Sequence, residues 1–201
     1  SAVRRGISAR LLRSLAENAT SSSLEASLES LPWAPSLMTA ISTPAEATRG
    51  PASFARGWAG EALGAVVTAS PVLAANIIQD PDWATRIMSL LHSPSEEEAD
   101  SSPPPSRADR IGGAHALAAL SRSDKELSDT LLASPGWESA ISTMLHSRDP
   151  PTRAAAASVL ASIAPHSAAR ASSVERWAQG LLLASIAPGP DRPFALSALV
   201  S

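Results

Sequence analysis

The segments PDWATRIMSLLHS (residues 81–93) and PGWESAISTMLHS (residues 135–147) share one pattern at an offset of 54 residues. In both, a proline stands two positions before a tryptophan, and apolar residues follow the tryptophan at intervals of four. Because residues four apart share a helix face, each segment predicts an amphipathic helix that begins near its tryptophan. Two copies that keep proline, tryptophan, both apolar anchors, histidine and serine in register indicate an internal repeat.

Two further tryptophans extend the repeat in both directions. The first copy begins at Trp33 and the fourth at Trp177, although Ser185 replaces the second apolar anchor of the fourth copy. Successive tryptophans of the four copies are 50, 54 and 40 residues apart. The longer spacings contain Pro/Ser-rich inserts at 43–53 and 94–106. Without these inserts the unit is about 40 residues long, a typical length for helical repeats.

Each tryptophan helix is followed by an Ala-rich segment and preceded by a short segment after a polar break. The Ala-rich segments predict long helices at 7–16, 54–69, 107–120 and 152–164, and a further one that begins at Pro193. The short segments predict helices at 71–79 and 124–133. Pro71 is suited to a first helical position and Ser123 to an N-cap. The predicted order within a unit is short helix, tryptophan helix, Ala-rich helix.

This order resembles the armadillo family, in which two helices and a long third helix form each superhelical step. Residues 70–80 followed by 87–94 are similar to the family's VI-D-AG…L-x-x-LL-S-P stretch. Gly136 stands at the family's glycine, and Asp82 replaces that glycine one copy earlier. Three segments resemble the family's long third helix, at residues 61–66, 115–120 and 158–163. The resemblance implies an all-α, right-handed α-solenoid of about four armadillo-like repeats in one domain, residues 1–201.

A solenoid of this kind implies a concave surface that successive third helices line. The residues predicted to face that surface and contact a partner are Arg56, Glu61, His115, Arg122 and Ser158. Trp58 does not follow the tryptophan register and is a sixth candidate for partner contact.

The chain departs from armadillo proteins that bind extended basic peptides. Those proteins carry a Trp and an Asn one turn apart on the third helix. The matching pairs here are Glu61 and Ala65, His115 and Ala119, and Ser158 and Ser162. The sequence therefore predicts another kind of partner contact.

Composition excludes several function classes. The absence of cysteine excludes disulfides, thiolate metal sites and a cysteine nucleophile. The net charge of −3 and the scattered basic residues do not form the basic stripe of a nucleic-acid binder. No apolar run approaches the length of a membrane span. Only 3% of residues are aromatic, so the core must consist mainly of Ala, Leu, Ile and Val in closely packed helices.

Catalytic and ligand-binding motifs are also missing. Neither the G-x-S-x-G nucleophile elbow nor a phosphate-binding glycine loop occurs, and no two histidines have metal-ligand spacing. We predict no catalytic residue, metal site or cofactor. His92 and His146 end equivalent helices, where an imidazole can bond the last carbonyl groups. His115 suits either a contact surface or ordinary packing.

Two features leave alternatives open. Gly112 and Gly113 indicate either close helix packing or a loose helix start. The acidic run at 96–100 is either a solvated insert or a docking or phosphorylation segment, for which Ser95, Ser101 and Ser102 are available.

The opening residues are rich in arginine and poor in acid. Arg4, Arg5, Arg10 and Arg13 precede the first acidic residue, Glu17. This composition resembles the region beside a mitochondrial transit peptide, so a mitochondrial location is expected, with plastid or cytoplasm as alternatives. A basic face on a first helix explains the same residues.

Together these patterns favour a non-catalytic protein-binding scaffold or adaptor, as an accessory subunit of a larger organellar assembly. Its partner would be an extended segment or a helix of another protein, and neither nucleic acid nor a membrane span is expected. The alternative is the N-terminal armadillo-like region of a longer enzyme such as a serine hydrolase. Because the helix predicted from Pro193 stops at Ser201, we expect the native chain to continue. An RNA-binding helical repeat is disfavoured by the missing basic stripe.

Overall fold

The chain is described by a computed structural model at residues 2–43, 54–91, 105–163, 177, 181–182 and 193. Within these ranges all regular secondary structure is helical, which confirms the predicted all-α class. The α-helices of the described part are, in chain order, α1 (Ala2–Asn18), α2 (Ser21–Leu28), α3 (Trp33–Ile41), α4 (Ala55–Ala69), α5 (Ala74–Ile77), α6 (Trp83–Met88), α7 (Arg107–Ser123), α8 (Lys125–Ala133), α9 (Trp137–Leu145) and α10 (Pro150–Ile163).

The described helices repeat the predicted order of short helix, tryptophan helix and Ala-rich helix. This order occurs in α2–α3–α4, in α5–α6–α7 and in α8–α9–α10, after the long opening helix α1. The long helices predicted at 54–69, 107–120 and 152–164 are α4, α7 and α10, whose ends differ from the prediction by at most three residues. Most of both predicted inserts lies outside the described residues, as does the helix predicted after Pro193.

The tryptophans of the first three copies occupy equivalent positions. Trp33, Trp83 and Trp137 are each the first residue of a helix, and each is only 6–7% exposed. The apolar residues four and eight positions after each of them are buried as well. Trp177 of the fourth copy is also buried, and its ring lies 5.4 Å from that of Trp137, centroid to centroid. The tryptophan register therefore marks one recurring core position.

The start of α8 differs from the prediction. Ser123 was expected to cap this helix, but it is the last residue of α7, and its hydroxyl donates to the carbonyl of Leu120 at 2.8 Å. Asp124 is the cap instead, because its extended backbone lets the carboxylate accept from the N–H groups of Glu126 and Leu127 at 2.6 and 3.2 Å. A carboxylate at this position also suits the positive end of the helix dipole.

Proline and serine begin two other elements. Pro71 stands at a first helical position as predicted, but residues 71–73 form a 3-10 turn that leads into the short helix α5. A single helix over 71–79 is therefore wrong. Ser106, which was assigned to the second insert, caps α7 through a reciprocal pair of hydrogen bonds with Asp109, at 3.1 and 3.0 Å. This insert thus ends one residue earlier than predicted.

The long helices pack against one another in series, α1 on α4, α4 on α7 and α7 on α10. The contact between α4 and α7 is the most extensive, and glycines bring the two backbones together there. A Cβ atom on Gly57 would lie 2.4 Å from the carbonyl oxygen of Ala108, and one on Gly60 would lie 2.6 Å from the carbonyl carbon of Gly112. Gly112 therefore serves close helix packing rather than a loose helix start.

Burying a carboxylate at the second apolar anchor should unfold the chain. Leu91 and Leu145 are each 2% exposed. We expect Leu91→Asp or Leu145→Asp to lower the free energy of unfolding by at least about 3 kcal/mol. Leu11→Asp is the matched control, since Leu11 is 67% exposed and its replacement should change stability little. Urea denaturation followed by circular dichroism measures all three, and equal midpoints would contradict this packing.

A methyl group between α4 and α7 should also destabilise the fold. A Cβ atom on Gly112 would lie 2.1 Å from the carbonyl oxygen of Gly57, so the helices must separate. We expect Gly112→Ala to cost about 2 kcal/mol or more, although alanine favours helices by about 1 kcal/mol. Gly6→Ala should cost less stability, because the nearest atom to a Cβ on Gly6 belongs to a side chain, the ring edge of Trp58, at 2.9 Å. Thermal melting compares the two variants; a Gly112→Ala protein as stable as the parent would refute the close approach.

Candidate groove across the four long helices

A groove of about 430 Å³ runs across α1, α4, α7 and α10. Its floor contains small residues, among them Gly64, Ala65 and Ala118, which leave room for another chain to approach the helix backbones. Its walls carry charged and polar side chains from all four helices. Each helix contributes to this lining because the long helices lie side by side in the fold.

Four of the six predicted contact residues line this groove together. They are Glu61, His115, Arg122 and Ser158. Glu61, His115 and Ser158 are the matching third-helix positions of three copies, and Arg122 lies seven residues after His115 on α7. The groove also contains Arg13 and Glu17 of α1, which the sequence analysis did not place there. The i,i+4 spacing of an arginine and a glutamate was the available signal for that pair.

Arg56, the fifth residue predicted to face the concave surface, is not part of the lining of this groove. Its Nε donates to the carbonyl of Ile41 at 3.0 Å, and its Nη2 donates to the carbonyl of Ser89 at 3.2 Å. These acceptors lie at the ends of the tryptophan helices α3 and α6. Arg56 therefore ties two neighbouring repeats together on the side of the tryptophan helices.

Trp58 also lies outside the groove lining. It is half-buried on α4, and its ring stacks on Phe54 with centroids 5.7 Å apart. The guanidinium of Arg10 lies 5.1 Å from the ring centroid, within the range of a cation–π contact. The ring edge packs on Gly6 of α1. Trp58 thus contributes to the contact between the first two long helices.

The end of the groove formed by α1 and α4 carries an excess of negative charge. Arg13 bonds both carboxylates there, Glu17 through its Nε at 2.7 Å and Glu61 through its Nη1. The hydrogen bond to Glu17 is the main cause that raises the pKa of Arg13. Two carboxylates share one guanidinium, so this end has a formal charge of −1.

The opposite end of the groove carries an arginine without a counter-ion among the described residues. The Nη1 of Arg122 donates to the hydroxyl of Ser162 at 3.0 Å, and that hydroxyl donates to the carbonyl of Ser158 at 2.7 Å. Partial burial lowers the pKa of Arg122, and no described carboxylate forms an ion pair with it. This end therefore has a formal charge of +1.

His115 lies between these two ends. Its side chain is accessible to solvent, yet protein atoms of the groove surround it, and this desolvation is the main cause that lowers its pKa. Glu61 and Glu17 favour the protonated ring, whereas Arg13 and Arg122 oppose it. The imidazole is therefore neutral at pH 7 and adds no charge to the groove.

The remaining serine and histidine candidates do not form a catalytic or metal site among the described residues. Ser158 is 8% exposed, and its hydroxyl donates to the carbonyl of Ala155 at 2.8 Å, so it is not aligned with His115 as a nucleophile. The described residues contain no group of three His, Cys, Asp or Glu side chains that could hold a metal ion. His146 caps the end of α9, since its Nδ1 lies 2.8 Å from the carbonyl of Ser142. His92 lies outside the described residues.

No protein-family model matches this sequence, and no curated protein matches it either. None of the described helices combines the length and the apolar character needed to cross a bilayer. The chemistry of the groove therefore has to be interpreted from its own side chains.

The lowered pKa of His115 should make stability depend on pH. His115 binds its proton more weakly in the folded state than in the unfolded chain. As the pH falls below about 6.5, the unfolded chain is protonated first, so acidification favours unfolding. We expect the NMR titration midpoint of His115 to lie below about 6.5. Between about pH 7 and pH 5, His115→Gln should lose less unfolding free energy than the parent. A midpoint above 6.5, or identical losses in urea titrations, would contradict the desolvated position.

Proposed function

We propose that this protein is a non-catalytic scaffold, a right-handed α-solenoid of about four armadillo-like repeats that holds a segment of another protein. The observation that carries the proposal is the groove, to which four successive long helices each contribute side chains. A repeat protein that presents equivalent positions of neighbouring units along one groove is suited to an extended segment or a helix.

The character of the lining supports binding over catalysis. The floor consists of small residues, so the backbone of a partner segment can approach closely and gain affinity from contact area. The polar groups are held by neighbours of the same protein, as in the hydrogen bonds of Arg122 and Ser158. A mitochondrial location stays part of the proposal, and its support is the arginine-rich opening sequence.

Site-specific crosslinking tests this function. Thr68 lines the groove, and a photo-crosslinking amino acid that replaces it should capture a partner in cells. The matched control places the same photo-crosslinking amino acid at position 85, because Thr85 is exposed on α6 outside the groove lining, and this protein should not capture the partner. Ala65→Trp fills the groove and should reduce capture at Thr68 at least tenfold, whereas Ala75→Trp on α5 should leave it unchanged. Equal capture at positions 68 and 85, or capture at position 68 that is unchanged by Ala65→Trp, would refute a partner site in the groove.

A further inference from the structure

The groove is electrically polarised along its length. At the α1–α4 end, Glu17 and Glu61 share the single guanidinium of Arg13. At the other end, Arg122 is held only by the hydroxyl of Ser162 and by no described carboxylate. His115 between them is neutral at pH 7. The two ends therefore differ by two formal charges while the middle carries none.

The missing ion pair makes the Arg122 end of the groove specific for an anion, because its solvent-accessible guanidinium has no described carboxylate partner. The hydrogen bond from its Nη1 to the hydroxyl of Ser162 positions the guanidinium, and a hydrogen bond between two charged groups is stronger than one between neutral groups. Its planar donors also match a carboxylate in a bidentate geometry. At the other end, the carboxylates of Glu17 and Glu61 retain unoccupied lone pairs that a cationic side chain can use.

The glycine contacts fix how far apart the two ends lie. Gly57 faces Ala108 and Gly64 faces His115, so α4 and α7 run parallel in a constant register. Arg122 lies seven residues beyond His115, while Glu61 precedes Gly64 by three. With a rise of about 1.5 Å per residue and helix axes about 8–10 Å apart, Arg122 and Glu61 are separated by roughly 15–20 Å. An extended chain covers this distance in about five or six residues.

We propose that the groove selects a polarised segment, whose acidic residue pairs with Arg122 and whose basic residue, about five or six positions away, faces Glu17 and Glu61. This inference rests on the proposed function, because it names the chemistry of the segment that the scaffold holds. The proposed segment differs from the extended basic peptides that some armadillo proteins bind, because it requires an acidic residue at one end.

Selection from a displayed library of random ten-residue peptides tests the polarity. The parent protein should enrich peptides that carry Asp or Glu about five or six positions from Lys or Arg. Arg122→Gln should lose the acidic preference, and Arg122→Glu should replace it with a basic one. Lys125→Glu, an equal charge reversal at an exposed position of α8 outside the groove lining, should leave the selected motif unchanged. Melting curves of each variant verify that the fold is intact.

Binding of one selected peptide then measures the effect. By fluorescence anisotropy, replacing its acidic residue with glutamine should weaken binding to the parent at least tenfold, but should change binding to Arg122→Gln little. Selected peptides that crosslink to the photo-crosslinking amino acid at position 68 but show neither charge preference would contradict the polarised segment and leave the proposed scaffold function intact. Selected peptides that fail to crosslink to Thr68 would overturn the groove as a binding site, and the proposed function with it.

Discussion

The close approach of α4 and α7 is the constraint on which the rest of the structure depends. Gly57 and Gly60 face the backbone of α7, and Gly112 faces the backbone of α4, at distances that exclude even a methyl group. Dispersion contacts between two backbones at this separation are numerous, and they are lost together if the helices move apart. Glycine weakens each helix taken alone, so this packing must outweigh the lower helix propensity of these positions.

The same contact determines what the groove can be. Because glycines bring the helices together without side chains between them, α4 and α7 lie parallel in one register, and Glu61, His115 and Arg122 fall along a single surface. Gly64 contributes to both, since it packs on His115 and forms part of the groove floor. Packing between long helices and exposure of a shallow, small-residue floor are thus two effects of one set of glycines.

The sequence predicted the core positions of the tryptophan helices but missed the side-chain contacts of Arg56 and Arg13, which join different units. Trp83 and its apolar anchors are four residues apart on one helix, so a local pattern was sufficient to place them in the core. The direction of Arg56 depends on carbonyl groups of α3 and α6, which belong to two different units, and no local pattern contains that information. The ion pair of Arg13 with Glu61 joins residues 48 positions apart and was missed for the same reason.

A polarised groove also explains how the chain balances folding against binding. Arg13 is neutralised by its own protein, which favours the contact between α1 and α4. Arg122 is accessible to solvent, donates a hydrogen bond to the hydroxyl of Ser162 and forms no ion pair with a described carboxylate, so its charge is not neutralised within the described part of the protein. An anionic side chain from a partner could pair with Arg122 without breaking an existing ion pair. The arginine of the groove that has no described carboxylate partner is therefore the one best placed to recognise what enters it.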